Sequence, residues 1–288
     1  MAAGPALCAD PKRAALPNEF FAMDSAVVRR LGKDIIPESD IDAIARLGYA
    51  GLSIGVPDPA AWQRLGDQVL PWLDARKLKL FAIYCVVHLD RDGYTYNTEV
   101  KRSLGLLKGR GTVVWLPIVT KAFQPSDQKA DPLAVTIVRE IADVAAAQAM
   151  RVSLYHHAGS LMERVADVLR IAQKAERPNV DVTFNLCHWL KTDPPDSLDQ
   201  TLRLALPRLS IVTINGADRD AKDWDKLIQP LDSGNFDLTA FLRDLHRLGY
   251  KGPIGLQGYE VANHLHIDPR ENLSRSMAAW KKLSKAAV

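Results

Sequence analysis

A chain of 288 residues with 47% hydrophobic and 25% charged residues is composed like a globular protein, long enough for two average domains or one large α/β barrel. Its net charge of +3, with no long Lys/Arg block, argues against nucleic-acid binding, and no apolar run reaches the ~20 residues of a membrane helix. Three scattered cysteines (Cys8, Cys85, Cys187) without a CxxC pair argue against a disulfide framework or a structural zinc site.

The first 17 residues are Ala/Pro-rich and aperiodic, as expected of a disordered leader or the remnant of an export signal. No apolar h-region precedes Ala6-Leu7-Cys8-Ala9-Asp10, so both a cytoplasmic and an exported location stay open. From residue 18 to 288 an apolar strand-like run and a helix-like run take turns eight times. The expected strands are Phe20–Met23, Gly51–Ile54, Leu80–Val87, Val113–Ile118, Val152–His156, Val182–Leu186, Ile211–Ile214 and Ile254–Leu256. They are short, continuous and apolar, as strands buried on both faces must be.

Helix signals fall between them. Asp58-Pro59, Asp131-Pro132 and Asp268-Pro269 each place an N-cap acceptor before a proline, and Ser39/Asp42 and Ser160/Glu163 read as capping boxes. The stripes Leu238, Phe241, Leu242, Leu245, Leu248 and Leu273, Met277, Trp280 predict amphipathic helices packed on a sheet. Eight βα units without a linker predict the fold class α/β, a single (β/α)8 TIM barrel over residues 18–288. A doubly wound sheet is the alternative, but the first junction, Asp24-Ser25-Ala26, lacks a glycine-rich nucleotide turn.

Parallel strands bring their carboxyl ends to the ligand-binding face. Four of the expected strands end in polar residues: Tyr155-His156-His157, Asn185-Leu186-Cys187-His188, Asn215-Gly216-Ala217-Asp218 and Gln257-Gly258-Tyr259-Glu260. Long connections at 87–97, 119–131 and 216–236 bring Tyr94, Tyr96, Lys121, Trp224, Lys226 and Gln229 to the same face. Trp115, Trp189, Lys191 and His88 join them. Aromatic rings beside amides and lysines suit a polyhydroxylated ligand, with rings on C–H faces and polar groups on hydroxyls. The alternative is ordinary loop packing.

At these strand ends the chain resembles the xylose isomerase-like TIM-barrel superfamily of sugar and sugar-phosphate isomerases, epimerases, dehydratases and endonuclease IV-type enzymes. The segments Leu154–Gly159, Asn185–Leu190, Ile214–Asp218 and Gln229–Asp237 carry the resemblance. It implies a divalent metal (Mn, Mg or Zn) held by a Glu, an Asp, a His and a Glu at the ends of the last four barrel strands. Those positions fall on Tyr155, Asn185, Asn215 and Gln257, all neutral here. Mg²⁺ and Mn²⁺ favour charged oxygen donors, so no metal ligand is assigned among these residues. A zinc site from His88, His157 and His188 is the alternative.

Without that metal, proton transfer falls to His157 and His188 as base and acid, with Asp218 orienting a histidine or acting as a second base. Tyr155, Asn185, Asn215, Gln257, Trp115, Trp189, Lys191 and His88 are the expected substrate-binding residues. His156 is expected as a hydrogen-bonded supporting residue, Cys187 as a core residue and Glu260 as lying beyond the pocket. The expected function is therefore a sugar isomerase, epimerase or lyase working by His-centred proton transfer. The competing reading is a non-catalytic sugar-binding barrel. The expected partner is a small sugar or sugar derivative, with neither nucleic acid nor membrane. A homo-oligomer is left open.

Overall fold

The computed structural model describes residues 15–288. The first 14 residues of the expected leader lie outside the described residues. Leu16, near that leader's end, is buried and its N–H bonds to the Ser284 carbonyl at 3.0 Å, so the chain is already docked there.

Among the described residues the strands are β1 (Phe20–Met23), β2 (Gly51–Gly55), β3 (Lys79–Tyr84), β4 (Val87–Asp90), β5 (Gly93–Tyr96), β6 (Val113–Leu116), β7 (Ile118–Thr120), β8 (Arg151–Tyr155), β9 (Val180–Asn185), β10 (Leu209–Ile214) and β11 (Ile254–Leu256). Eight of them close in the order β1-β11-β10-β9-β8-β6-β3-β2, with every neighbouring pair parallel. This is the expected TIM barrel, and its closure rules out the doubly wound alternative.

The α-helices are α1 (Glu38–Leu47), α2 (Pro59–Arg64), α3 (Leu70–Ala75), α4 (Glu99–Ser103), α5 (Asp131–Ala146), α6 (Val165–Ala175), α7 (Leu186–Thr192), α8 (Leu198–Ala205), α9 (Trp224–Leu227), α10 (Leu238–Arg247), α11 (Val261–His264) and α12 (Pro269–Ala286). The stripes on α10 and α12 are buried as predicted, Leu248 excepted at half-burial, and Trp280 stacks on Phe20 with ring centroids 4.4 Å apart. No described helix is long and apolar enough to cross a membrane.

A separate cluster fills the barrel itself: Phe21, Met23, Phe81, Trp115, Tyr155 and Ile211 pack together across its axis. Phe21 pairs with Gly255 of β11, where a Cβ would come 2.5 Å from the Phe21 ring. A large residue beside a small one is how a narrow barrel fills without voids.

Two expected strands are each two strands. The run 80–87 breaks after Tyr84, and the run 113–118 breaks after Leu116. Beyond the breaks, β4 pairs parallel with β7 and antiparallel with β5, forming a three-stranded ribbon outside the barrel. The expected 87–97 loop is therefore largely a hairpin.

The cap signals divide. Asp58 and Asp268 accept backbone N–H groups as expected, and Asp237 caps α10 in the same way. Asp131 instead lies inside the first turn of α5, buried and paired with Arg170 and Lys174. Ser39 accepts Arg270, and Asp42 pairs with Arg76. Ser160 donates to the Met162 carbonyl, and α6 starts later, capped through Asp167.

Candidate functional site

A cavity of about 940 Å³ opens over the carboxyl ends of the barrel strands. Its floor is polar: Asp24 after β1, Tyr84 ending β3, Tyr155 ending β8, His157, His188 and Gln257 after β11. The ribbon contributes His88, Thr95 and Tyr96 to its wall, and the connection after β10 contributes Trp224.

His157 and His188 have ring centroids 4.0 Å apart. Both bond to the backbone of Ala158. His157 Nδ1 meets the Ala158 carbonyl at 2.9 Å, which makes it the protonated nitrogen. His188 Nδ1 accepts the Ala158 N–H at 3.4 Å, which makes it the unprotonated one. Burial lowers the pKa of both, His188 well below the ordinary imidazole value, so both rings are neutral at pH 7. They therefore hold opposite tautomers. His157 Nε2 carries a lone pair and His188 Nε2 carries a proton, and neither atom is engaged by another protein group among the described residues.

His156 is a supporting residue, as expected. Its Nε2 accepts the Asn185 N–H at 2.9 Å, and burial lowers its pKa to about 4. Trp224 stands edge-on to the His188 ring, 5.5 Å between centroids.

Asp24, directly after β1, is a cavity residue that the sequence did not single out. Its carboxylate accepts the Ser25 N–H at 2.8 Å and the Gly55 N–H at 2.7 Å. It keeps some surface open to the cavity, yet the surrounding protein desolvates it and raises its pKa to about 6, against those two hydrogen bonds. The signal was available: a carboxylate directly after the first expected strand points to the binding face by barrel geometry alone. Tyr84 was missed too, inside a run read as one strand. Glu260, expected beyond the pocket, lines it, held in a left-handed backbone conformation with φ 62°.

Several expected site residues are not brought to the cavity. Trp115 is part of the barrel filling, and Trp189 on α7 packs against Phe184. Lys191 bonds to the Lys222 carbonyl and lies 5.2 Å from the Trp224 ring, so it braces the loop that carries Trp224. Asp218 accepts the Asn235 N–H at 3.0 Å and closes the connection after β10, and it is not among the residues that line the cavity. Its neighbour Ala217 lies so close to Gly234 that a Cβ there would come 2.2 Å from the Ala217 carbonyl oxygen.

The four positions that resemble metal ligands do not fit a metal. Asn185 caps α7: its Oδ1 accepts the His188 N–H and the Cys187 S–H, while its Nδ2 donates to the Tyr155 hydroxyl. Gln257 Oε1 accepts Ser25 Oγ and the N–H groups of Gly258 and Tyr259. Asn215 Nδ2 donates to the Gly216 and Leu227 carbonyls at 2.7 Å each, which leaves Oδ1 as a buried oxygen without a partner. Three oxygens are committed and all four side chains are neutral, whereas hard cations favour charged oxygen donors free to coordinate. Among the described residues no three His, Cys, Asp or Glu side chains converge on a metal-sized site, the His88, His157 and His188 set included.

A family model described as a xylose isomerase-like TIM barrel matches residues 41–283. No curated protein sequence matches the chain. Solved structures resemble it at low identity. An IolI protein with a bound zinc atom superimposes with a TM-score of 0.70 at 15% identity, covering 92% of this chain and 98% of that one. D-allulose 3-epimerase from Methylomonas sp. gives 0.68 at 17%, covering 94% and 100%. The 3-keto-D-glucoside 4-epimerase YcjR from E. coli gives 0.68 at 17%, covering 92% and 99%. At such identities the likeness is one of fold.

Proposed function

The chain belongs to the xylose isomerase-like TIM-barrel family, and from that premise we propose that it is a carbohydrate-active isomerase, epimerase or lyase working through paired neutral imidazoles. The observation that carries this reading is the opposite tautomers that Ala158 imposes on His157 and His188. Isomerisation, epimerisation and β-elimination all start by removing a proton beside a carbonyl. The His157 Nε2 lone pair takes that proton, and the His188 Nε2–H donates to the oxygen where charge develops. Asp24, with a pKa near 6, is poised on the same floor to return a proton at the neighbouring carbon or to a leaving oxygen. Gln257 and Tyr155 bind hydroxyls beside it. By its name, the YcjR relative inverts a carbon next to a ketone, which is chemistry of this type.

The commitment of Asn185 and Gln257 oxygens to their own backbone and neighbours supports the second reading, a barrel that binds sugars without turning them over. One experiment separates the two. Candidate keto sugars incubated in deuterated water are followed by NMR. The enzyme reading expects exchange at a single carbon, lowered about 10²–10⁴-fold by His157→Ala or His188→Ala. A sugar that binds and never exchanges would establish the binding barrel, and exchange that survives both substitutions would overturn the histidine assignment.

A further inference from the structure

We propose that the ligand of this site carries an uncharged apolar arm, making it a glycoside or related sugar conjugate with an aryl or alkyl aglycone, and not a free or phosphorylated monosaccharide. This rests on the reading of the barrel mouth as a sugar site.

The polar groups named above are gathered at the floor, over the barrel axis. The cavity continues beyond them, and apolar side chains form much of its extension. Val28, Leu31 and Ile35 line it from the connection after β1, and Val56, Leu65 and Val69 line it from the connection after β2. At about 940 Å³ the whole lies near the top of the ~300–1,000 Å³ range of pockets for drug-sized ligands, more room than one monosaccharide fills.

Two further observations favour an occupant for the extension. Eight large apolar side chains are left exposed among the described residues, and four of them, Leu31 (42%), Ile35 (59%), Trp224 (36%) and Tyr259 (44%), line this one cavity. Apolar side chains grouped in one cavity, and not scattered singly, mark a binding surface. Second, the helix between α2 and α3 is wound as a π-helix over Leu65–Val69, and Leu65, Gln68 and Val69 all reach the cavity. Such bulges are rare and recur at functional sites.

The charge balance of the extension decides against a phosphate. Lys33 and Arg64 line it, but so do Asp34 and Glu260, and Asp34 is already paired with Arg30. With Asp24 on the floor and Arg30 at Asp34 counted in, three cations against three carboxylates give no net field to hold a dianion, whereas an uncharged aglycone needs none.

The test uses the full chain and isothermal titration with methyl, phenyl and hexyl glycosides of glucose, galactose and mannose, with phenol and hexanol alone, and with the 6-phosphates of the three sugars. The expected result is that phenyl or hexyl glycosides bind about tenfold or more tightly than the methyl glycoside of the same sugar. Leu31→Ser and Ile35→Ser, at exposed positions that the fold tolerates, should erase most of that gain and leave methyl glycoside binding unchanged. Equal binding of methyl and phenyl glycosides, or tightest binding of a sugar phosphate, overturns the apolar arm and leaves the sugar reading standing. Phenol or hexanol binding as tightly as its glycoside overturns the sugar reading and leaves the arm. Binding by none of the probes overturns both.

Discussion

Asp24 takes two backbone N–H groups, which ordinarily lower a carboxyl pKa, and still rises to about 6 because burial outweighs them. An acid with a folded pKa above its unfolded value holds its proton more tightly when folded. Its contribution to stability is therefore complete below about pH 4 and lost as pH rises through about 6, at a ceiling of about 3 kcal/mol. Urea unfolding of wild type and Asp24→Asn at pH 4 and pH 7 isolates this loss as the difference between the two proteins, which should favour the variant more at pH 7 than at pH 4; a difference that does not change with pH would show that Asp24 is not the group responsible. The buried histidines act in the opposite sense, since folding disfavours their charged form and acid destabilises them. Which polar residues end the strands was readable in the sequence, because strands seeking burial stop where polar residues begin. What each one bonds to was not. Asn185 looks like a ligand position and serves as a helix cap, and Asp218 looks like a base and closes a loop, because both bond to backbone groups whose positions the fold decides.

At the scale of elements, the ribbon of β4, β5 and β7 shapes one wall of the cavity, and one carboxylate on α5 holds it. Glu140 accepts the hydroxyls of Tyr94 at 2.6 Å and Tyr96 at 2.7 Å and pairs with Lys101, which keeps its pKa down at about 2. Glu140→Ala should cost about 1–2 kcal/mol and raise amide hydrogen exchange across residues 87–97. Because Tyr96 and His88 only line the wall, KM should rise more than kcat falls; protection of the ribbon at its original level would show that other contacts hold it. The sequence shows this ribbon only as extra strand length and a long connection. A continuous apolar run cannot reveal that the chain leaves the barrel after Tyr84, since a barrel strand and a ribbon strand bury the same residue types. Helix starts were legible where Asp preceded Pro on the surface, as at Asp58, and misread at Asp131, where the carboxylate is buried among Arg170 and Lys174 and no longer serves as a cap.

For the molecule as a whole, the emptied metal centre makes a direct prediction. Four neutral side chains, three with their oxygens already committed, should leave the melting temperature and ligand binding unchanged after exhaustive EDTA treatment; a loss of either would reveal a metal site elsewhere in the chain. The sequence by itself determined the barrel, its eightfold alternation and the face at which polar strand ends gather. These follow from the periodicity of burial and from residue type at strand ends, which are local properties. Only the tertiary structure decided which residues share the cavity. It brought Asp24 from the start of the barrel beside Gln257 from its end, where β1 pairs with β11, and set His157 against His188 across two neighbouring strands. It also opened an apolar extension between segments that carry no motif. Closure of the barrel joins residues more than two hundred positions apart, and the protonation of each follows from how deeply that closure buries it.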